Sequence, residues 1–136
     1  MKRSNTASLF IVFAICVFVA LGCNASTANL SSLKTSTDAA GASETKTFKP
    51  GDTINGIAAV SNNPGTVKVN FTMLDSKGTV LKGSEVSVEL KGDGTAKFSA
   101  PVSEALPAGI YKLNADMINE SGEKKDNKSA DITISE

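Results

Sequence analysis

The sequence predicts an all-β protein, a single antiparallel β-sandwich of about seven or eight short strands. Three observations carry this reading. From Glu44 onward apolar and polar residues alternate, most clearly at Val67, Val69, Phe71 and Met73 against Lys68, Asn70 and Thr72. A period of two puts one set on a buried face and the other in solvent. Clusters of Gly, Pro, Asn and Asp separate the runs at short spacing, and no stretch keeps a helical period.

Taken in order, Thr45 to Lys49 reads as a first strand, and Pro50-Gly51-Asp52 turns the chain. Ile54, Gly56, Ala58 and Val60 share the inward face of a second strand. Ser61-Asn62-Asn63-Pro64-Gly65 is a loop by its turn chemistry. The alternating run over Val67 to Met73 is the third strand. Asp75-Ser76-Lys77-Gly78 is a tight turn with glycine placed for a positive φ, and a short strand is expected over Thr79 to Lys82. Val86, Val88 and Leu90 alternate with Glu85, Ser87 and Glu89, which makes the two glutamates part of a solvated face. Gly92-Asp93-Gly94 carries a hairpin signal, with Ala96, Phe98 and Ala100 answering on the partner strand. Tyr111, Leu113, Ala115 and Met117 share a face, Glu120 to Asn127 is a polar loop, and Ala130, Ile132 and Ile134 form the last strand.

The stretch Leu106-Pro107-Ala108-Gly109-Ile110-Tyr111 resembles the corner that leads into the sixth strand of fibronectin type III and immunoglobulin-like domains. The resemblance implies an immunoglobulin-like sandwich. It also implies that Leu106, Pro107, Gly109 and Tyr111 are structural, the tyrosine hydroxyl bonding back to the backbone to pin a crossover between sheets. Together with Phe48-Lys49-Pro50-Gly51-Asp52-Thr53-Ile54 and Asp75-Ser76-Lys77-Gly78, this stretch is similar to the macroglobulin-type modules of bacterial surface proteins. The thioester and bait segments of full macroglobulins are absent, so the resemblance implies no protease trapping.

Ahead of the sandwich, Lys2-Arg3 is followed by an apolar run from Leu9 to Gly22. That run falls short of the roughly 20 residues a spanning helix needs and suits a signal peptide. Val19-Ala20-Leu21-Gly22-Cys23 resembles the lipobox of bacterial lipoproteins, with Ala20 standing where Leu is commoner and Leu21 where a small residue is usual. Cys16 follows Ile15 and does not fit; Cys23 follows Gly22 and does. The resemblance implies cleavage between Gly22 and Cys23, a diacylglycerol thioether on Cys23, and two or three acyl chains in all. One chain binds a membrane only marginally, whereas several anchor it effectively for good. Asn24 is not the Asp that retains such proteins in the inner membrane, which favours the outer membrane in a Gram-negative cell. The alternatives are an ordinary secreted protein, cut after Gly22 or after Ser26-Thr27-Ala28, and an uncleaved anchor. Residues 24–43, rich in Ser, Thr, Ala and Asn with Leu30 and Leu33 as the large apolar residues, read as a flexible coil or, alternatively, as a short helix over the two leucines. The expected organisation is therefore a signal peptide over 1–22, a lipidated cysteine and tether over 23–43, and the sandwich over 44–136.

Composition excludes much chemistry. The chain has no His and no Trp, and both cysteines, Cys16 and Cys23, lie at the leader. Once Cys16 is removed and Cys23 is thioether-linked, Ser-His-Asp and Cys-His constellations and soft metal sites cannot form. Lys2 and Arg3 leave with the leader, so 12 of the 14 basic residues remain against 14 acidic ones. A net charge of about −2 does not suit nucleic acid. Glu120, Glu123, Asp126, Asn127 and Asp131 could offer oxygens to Ca²⁺, but they lack EF-hand spacing and lie among Lys124, Lys125 and Lys128. Phe48, Phe71 and Phe98 fall on core faces, which leaves no aromatic platform for a sugar. The expectation is a non-catalytic, cofactor-free envelope lipoprotein, held to the membrane by its lipid, that binds or spaces another envelope or surface protein through the sandwich, for example at a free strand edge. The alternative is an inhibitor or ligand-binding module that presents a loop such as Ala100 to Ala108 to a protease or other hydrolase.

Overall fold

A computed structural model describes residues 27–136; the leader, Gly22 and Cys23 lie outside the described residues. The strands are β1 (Asn29–Ser36), β2 (Thr47–Phe48), β3 (Thr53–Ser61), β4 (Thr66–Leu74), β5 (Val86–Lys91), β6 (Gly94–Pro101), β7 (Gly109–Asn119) and β8 (Lys124–Ile134), and no helix occurs among the described residues. They form two sheets, β1-β3-β6 and β2-β8-β7-β4-β5. All pairings are antiparallel except that of β2, whose two residues run parallel to the end of β8.

Alternation builds the core. Val69 and Phe71 on β4, Leu113, Ala115 and Met117 on β7 and Ile132 on β8 point at Ile54 and Ala58 on β3 and Phe98 on β6, and all are buried. Phe71 and Phe98 meet across the sheets with ring centroids 5.8 Å apart, within the range of favourable tilted aromatic pairs. Gly56 makes the closest approach possible. A Cβ there would stand 2.5 Å from Leu113 Cδ2 and 3.4 Å from Phe98 Cβ. Every buried side-chain nitrogen or oxygen among the described residues has a hydrogen-bond partner.

The sandwich begins earlier than the sequence suggests. Residues 29–36 are not a tether or a helix; they are β1, paired with β3 from Asn29↔Ser61 to Ser36↔Asn55. A bulge between Leu30 and Ser32 explains the misreading. Leu30 lies opposite Val60 and Leu33 opposite Ala58, so both leucines face the core although they are three residues apart. A bulge inserts one residue and shifts the parity of everything after it. Leu30 is only 2% exposed, and Leu33 packs at the margin of the core.

Residues 37–43 are also tied down. Asp38 accepts from the backbone N–H groups of Ala40 (2.9 Å), Ala42 (3.1 Å) and Ser43, while buried Ser36 donates its hydroxyl to the same carboxylate at 2.9 Å. The backbone N–H groups of Ser43 and Ala42, then the Ser36 hydroxyl, hold the Asp38 carboxyl well below the usual carboxylate range.

Three further expectations are corrected. β5 and β6 are not a hairpin: β5 pairs with β4 and β6 with β3, so Gly92-Asp93 carries the chain from one sheet to the other. Their apolar faces oppose each other across the core, which the same alternation allows. Thr79 to Lys82 is not a strand; it contributes a single bridge, Val80↔Leu74. The loop expected over Glu120 to Asn127 shrinks to residues 120–123, because β8 starts at Lys124.

Candidate functional site

The two ends of the sandwich differ in chemistry. One end gathers Thr27, the β3–β4 loop (62–65), the β5–β6 crossover (92–93) and the β7–β8 turn (120–123). The other gathers the β1–β2 loop (37–46), the β4–β5 connection (75–85) and the β6–β7 corner (102–108). They are called here the entry end and the far end.

At the far end the corner forms around Tyr111. Its ring is buried, 7% exposed, and its hydroxyl donates to the Pro107 carbonyl oxygen at 2.8 Å. Leu106 leans on the core and donates its N–H to Ser103 O at 3.0 Å, while Gly109 opens β7. The start of the corner is stitched to the β2–β3 turn: Val102 N–H donates to Asp52 O (2.8 Å) and Gly51 N–H to Val102 O (3.1 Å). The segment Ala100 to Ala108 is thus fixed at both ends, with residues 103–105 exposed between Val102 and Leu106.

Exposed large apolar side chains also collect at this end. Among the described residues these are Ile110, 63% exposed, and Val80, 43% exposed. Ile110 sits on the outer face of the five-stranded sheet, opposite Thr133. Beside it lies a shallow groove of about 610 Å³ bounded by Leu74, the 75–78 turn, Lys112 and Asp131. The turn is rigid. Asp75 accepts from Lys77 and Thr79 N–H, both at 2.9 Å, Gly78 adopts φ +81°, and these backbone donors, Thr79 foremost, lower the Asp75 pKa. A second cleft, about 390 Å³, opens between the sheets over Ile54, Met73, Leu81 and Leu106. Both are open; the second is lined mainly by apolar groups with Lys82 as its one charge, whereas the first sets Leu74 and Ile110 among Asp75, Lys77, Lys112 and Asp131, a mixed lining that suits contact with a protein surface.

The acidic residues do not converge. Glu123 pairs with Lys125 (2.6 Å) and its pKa is lowered by that contact; Asp131 faces Lys112 (3.8 Å), and Asp116 faces Lys124 (2.9 Å). Asp126 points toward the three-stranded sheet and accepts from Leu30 N–H at 2.8 Å, satisfying part of the β1 edge. Asn127 and Asp131 lie on the outer face of β8, and Glu120 lies in the turn at the opposite end of the molecule from Asp131. Among the described residues no group of three carboxylates, cysteines or histidines is placed to hold a metal ion. Glu89 lies on the outer face opposite Lys68, and Glu85 lies just ahead of β5 in the far-end connection. Phe48, Phe71, Phe98 and Tyr111 are all buried.

Ile110 and Asp126 were open to a parity reading. Ile110 is apolar on the outward parity of β7, and Asp126 is charged on the inward parity of β8. Ser36 and Asp38 carried no such signal, since their roles depend on β1 being a strand.

No protein-family model matches the sequence, and no curated protein matches it either. Solved structures share its fold. The C-terminal domain of Wzt superposes with a TM-score of 0.55 at 15% identity, over 80% of this chain and 74% of that one. A β-glucuronidase from Bacteroides uniformis gives 0.53 at 17% identity, over 78% of this chain but only 14% of the enzyme. A Niemann-Pick type C2 protein from the Japanese carpenter ant gives 0.50 at 15% identity, over 83% and 96%. At these identities the likeness concerns the fold. With its two sheets, its strand order and the Tyr111 corner, the described chain is an immunoglobulin-like β-sandwich domain.

Proposed function

We propose that this protein is a non-catalytic bacterial envelope lipoprotein, anchored through Cys23, whose sandwich engages another envelope or surface protein by its far end. The observation that carries the reading is the collection of exposed large apolar side chains at one end: Ile110, which lines one open groove, and Val80, next in sequence to Leu81 of the second. A small domain with few other exposed large apolar groups gains nothing in isolation from leaving these in water, and such patches mark contact surfaces. The lipobox-like Val19 to Cys23 supports the anchor, and the polar side chains on the outer sheet faces support a surface kept free of other contacts. The loop-insertion alternative is less favoured, because Ala100 to Ala108 is bonded at both ends and buries Val102. An enzyme is not proposed: the described acids are dispersed, and many of them are engaged by lysines or backbone N–H groups.

Crosslinking in cells followed by mass spectrometry tests the reading. One recurrent envelope protein, attached near residues 75–82 and 110, is expected, and Ile110→Glu should abolish its recovery. Recovery of a hydrolase crosslinked at 103–105 would replace this reading with the inhibitor one.

A further inference from the structure

We infer that the entry end of the sandwich rests on the headgroups of the membrane that anchors it, which holds the far end pointing away from the bilayer. This rests on the lipid-anchor reading of Cys23. Thr27 is already fixed to the sandwich, its hydroxyl donating to Asn62 O at 3.0 Å, and Ala28 is buried next to it. Four residue steps separate Cys23 from Thr27. A trans chain spans at most about 3.6 Å per residue, so the gap is at most about 14 Å. A coil of the length expected from sequence would have left a span of about 25 Å and free tumbling. The headgroup layer on one side of a bilayer is itself roughly 5–7 Å deep. A domain fixed so close to its anchor has one end available to face the lipid, the end where β1 enters.

That end is built to sit on headgroups and not to insert. Asn63 donates its N–H to Asp93 and its side-chain amide to Gly92 O, both at 2.7 Å, which locks the β3–β4 loop to the β5–β6 crossover. Asn119 Oδ1 accepts from Ser121 N–H (3.1 Å) and Glu123 N–H (2.9 Å), which fixes the β7–β8 turn. None of the three loops carries a large apolar side chain, and Glu123 is neutralised by Lys125. Ile110 lies near the other end of β7, nine residue steps from Asn119 and so roughly 30 Å away at the usual rise.

The test uses full-length lipidated protein in phosphatidylcholine vesicles that carry nitroxide on the headgroup. Glu120→Cys and Ser76→Cys, both at exposed turn positions, each supply the one free thiol of the mature chain for a fluorophore. The label at 120 should be quenched and the label at 76 should not. Inserting a flexible Gly/Ser segment of about 20 residues after Ala25 should abolish the quenching at 120. Equal quenching at both positions, or none, in protein that still floats with the vesicles overturns the orientation and leaves the lipid anchor standing. Quenching that survives the insertion also overturns it, since the short connection would not be the cause. Protein that does not float removes the anchor reading and the inference with it.

Discussion

Gly56 and Leu113 show how tightly single residues set the spacing of the two sheets. Leu113 is fully buried and cannot swing aside from a new Cβ at 56. Gly56→Val should therefore destabilise the fold by about 1–3 kcal/mol through overpacking, read as a lowered midpoint in urea with an unchanged slope. Tyr111→Phe keeps the ring and loses the bond to Pro107 O; about 0.5–1.5 kcal/mol of stability should go with it. Asp38 sets a pH dependence. Its folded pKa is depressed, so its contribution is fully present above the unfolded carboxylate pKa of about 4 and is lost as pH falls through the folded value. Thermal melts should show this contribution constant through neutral pH and declining in strong acid. Asp38→Asn should lower the neutral plateau and flatten the acid limb. An acid limb identical in the variant would remove Asp38 from the account.

At the scale of elements, β1 matters most and was the hardest to read. Strand alternation is legible where a strand is regular, and β3, β4 and β7 were readable for that reason: the buried residues of β4 and β7 keep one parity from end to end, and in β3 only buried Asn55 departs from it. The bulge in β1 breaks parity within an eight-residue strand, and its Ser- and Thr-rich composition matches that of a linker. The β5–β6 crossover was missed for a different reason. Alternation tells which face a residue takes but not which neighbour its strand pairs with, and two adjacent strands on opposite sheets alternate just as a hairpin does. The far-end apolar patch was half legible, since Ile110 has the wrong parity for solvent but Val80 lay in a stretch read as a strand. Because β1 covers an edge of β3 and buries Ala28 and Leu30, a chain trimmed to residues 44–136 should fail to fold where 27–136 folds. Circular dichroism melts would check this. Leu30→Ala in the longer chain should cost about 2–5 kcal/mol. A cooperative transition in the trimmed chain at the same temperature would reduce β1 to an accessory.

For the whole molecule, charge and chemistry are nearly silent, and the two ends are not. Formal charges balance over the full sequence. Nine of the described acids are engaged by lysines, backbone N–H groups or hydroxyls, Asp116, Glu123, Asp126 and Asp131 among them, and the described aromatics are internal. What distinguishes the molecule is polarity along its long axis, with the connection to Cys23 at one end and the exposed apolar side chains at the other. Under the proposed lipid anchor, that arrangement turns the exposed apolar end away from the membrane. Metabolic labelling with a clickable fatty acid, in cells making the wild-type chain or Cys23→Ser, tests this most directly. The account predicts labelled, membrane-bound wild type and an unlabelled variant that no longer fractionates with membranes. Labelling that persists in Cys23→Ser, or a wild type recovered unlabelled and free of membranes, would contradict it.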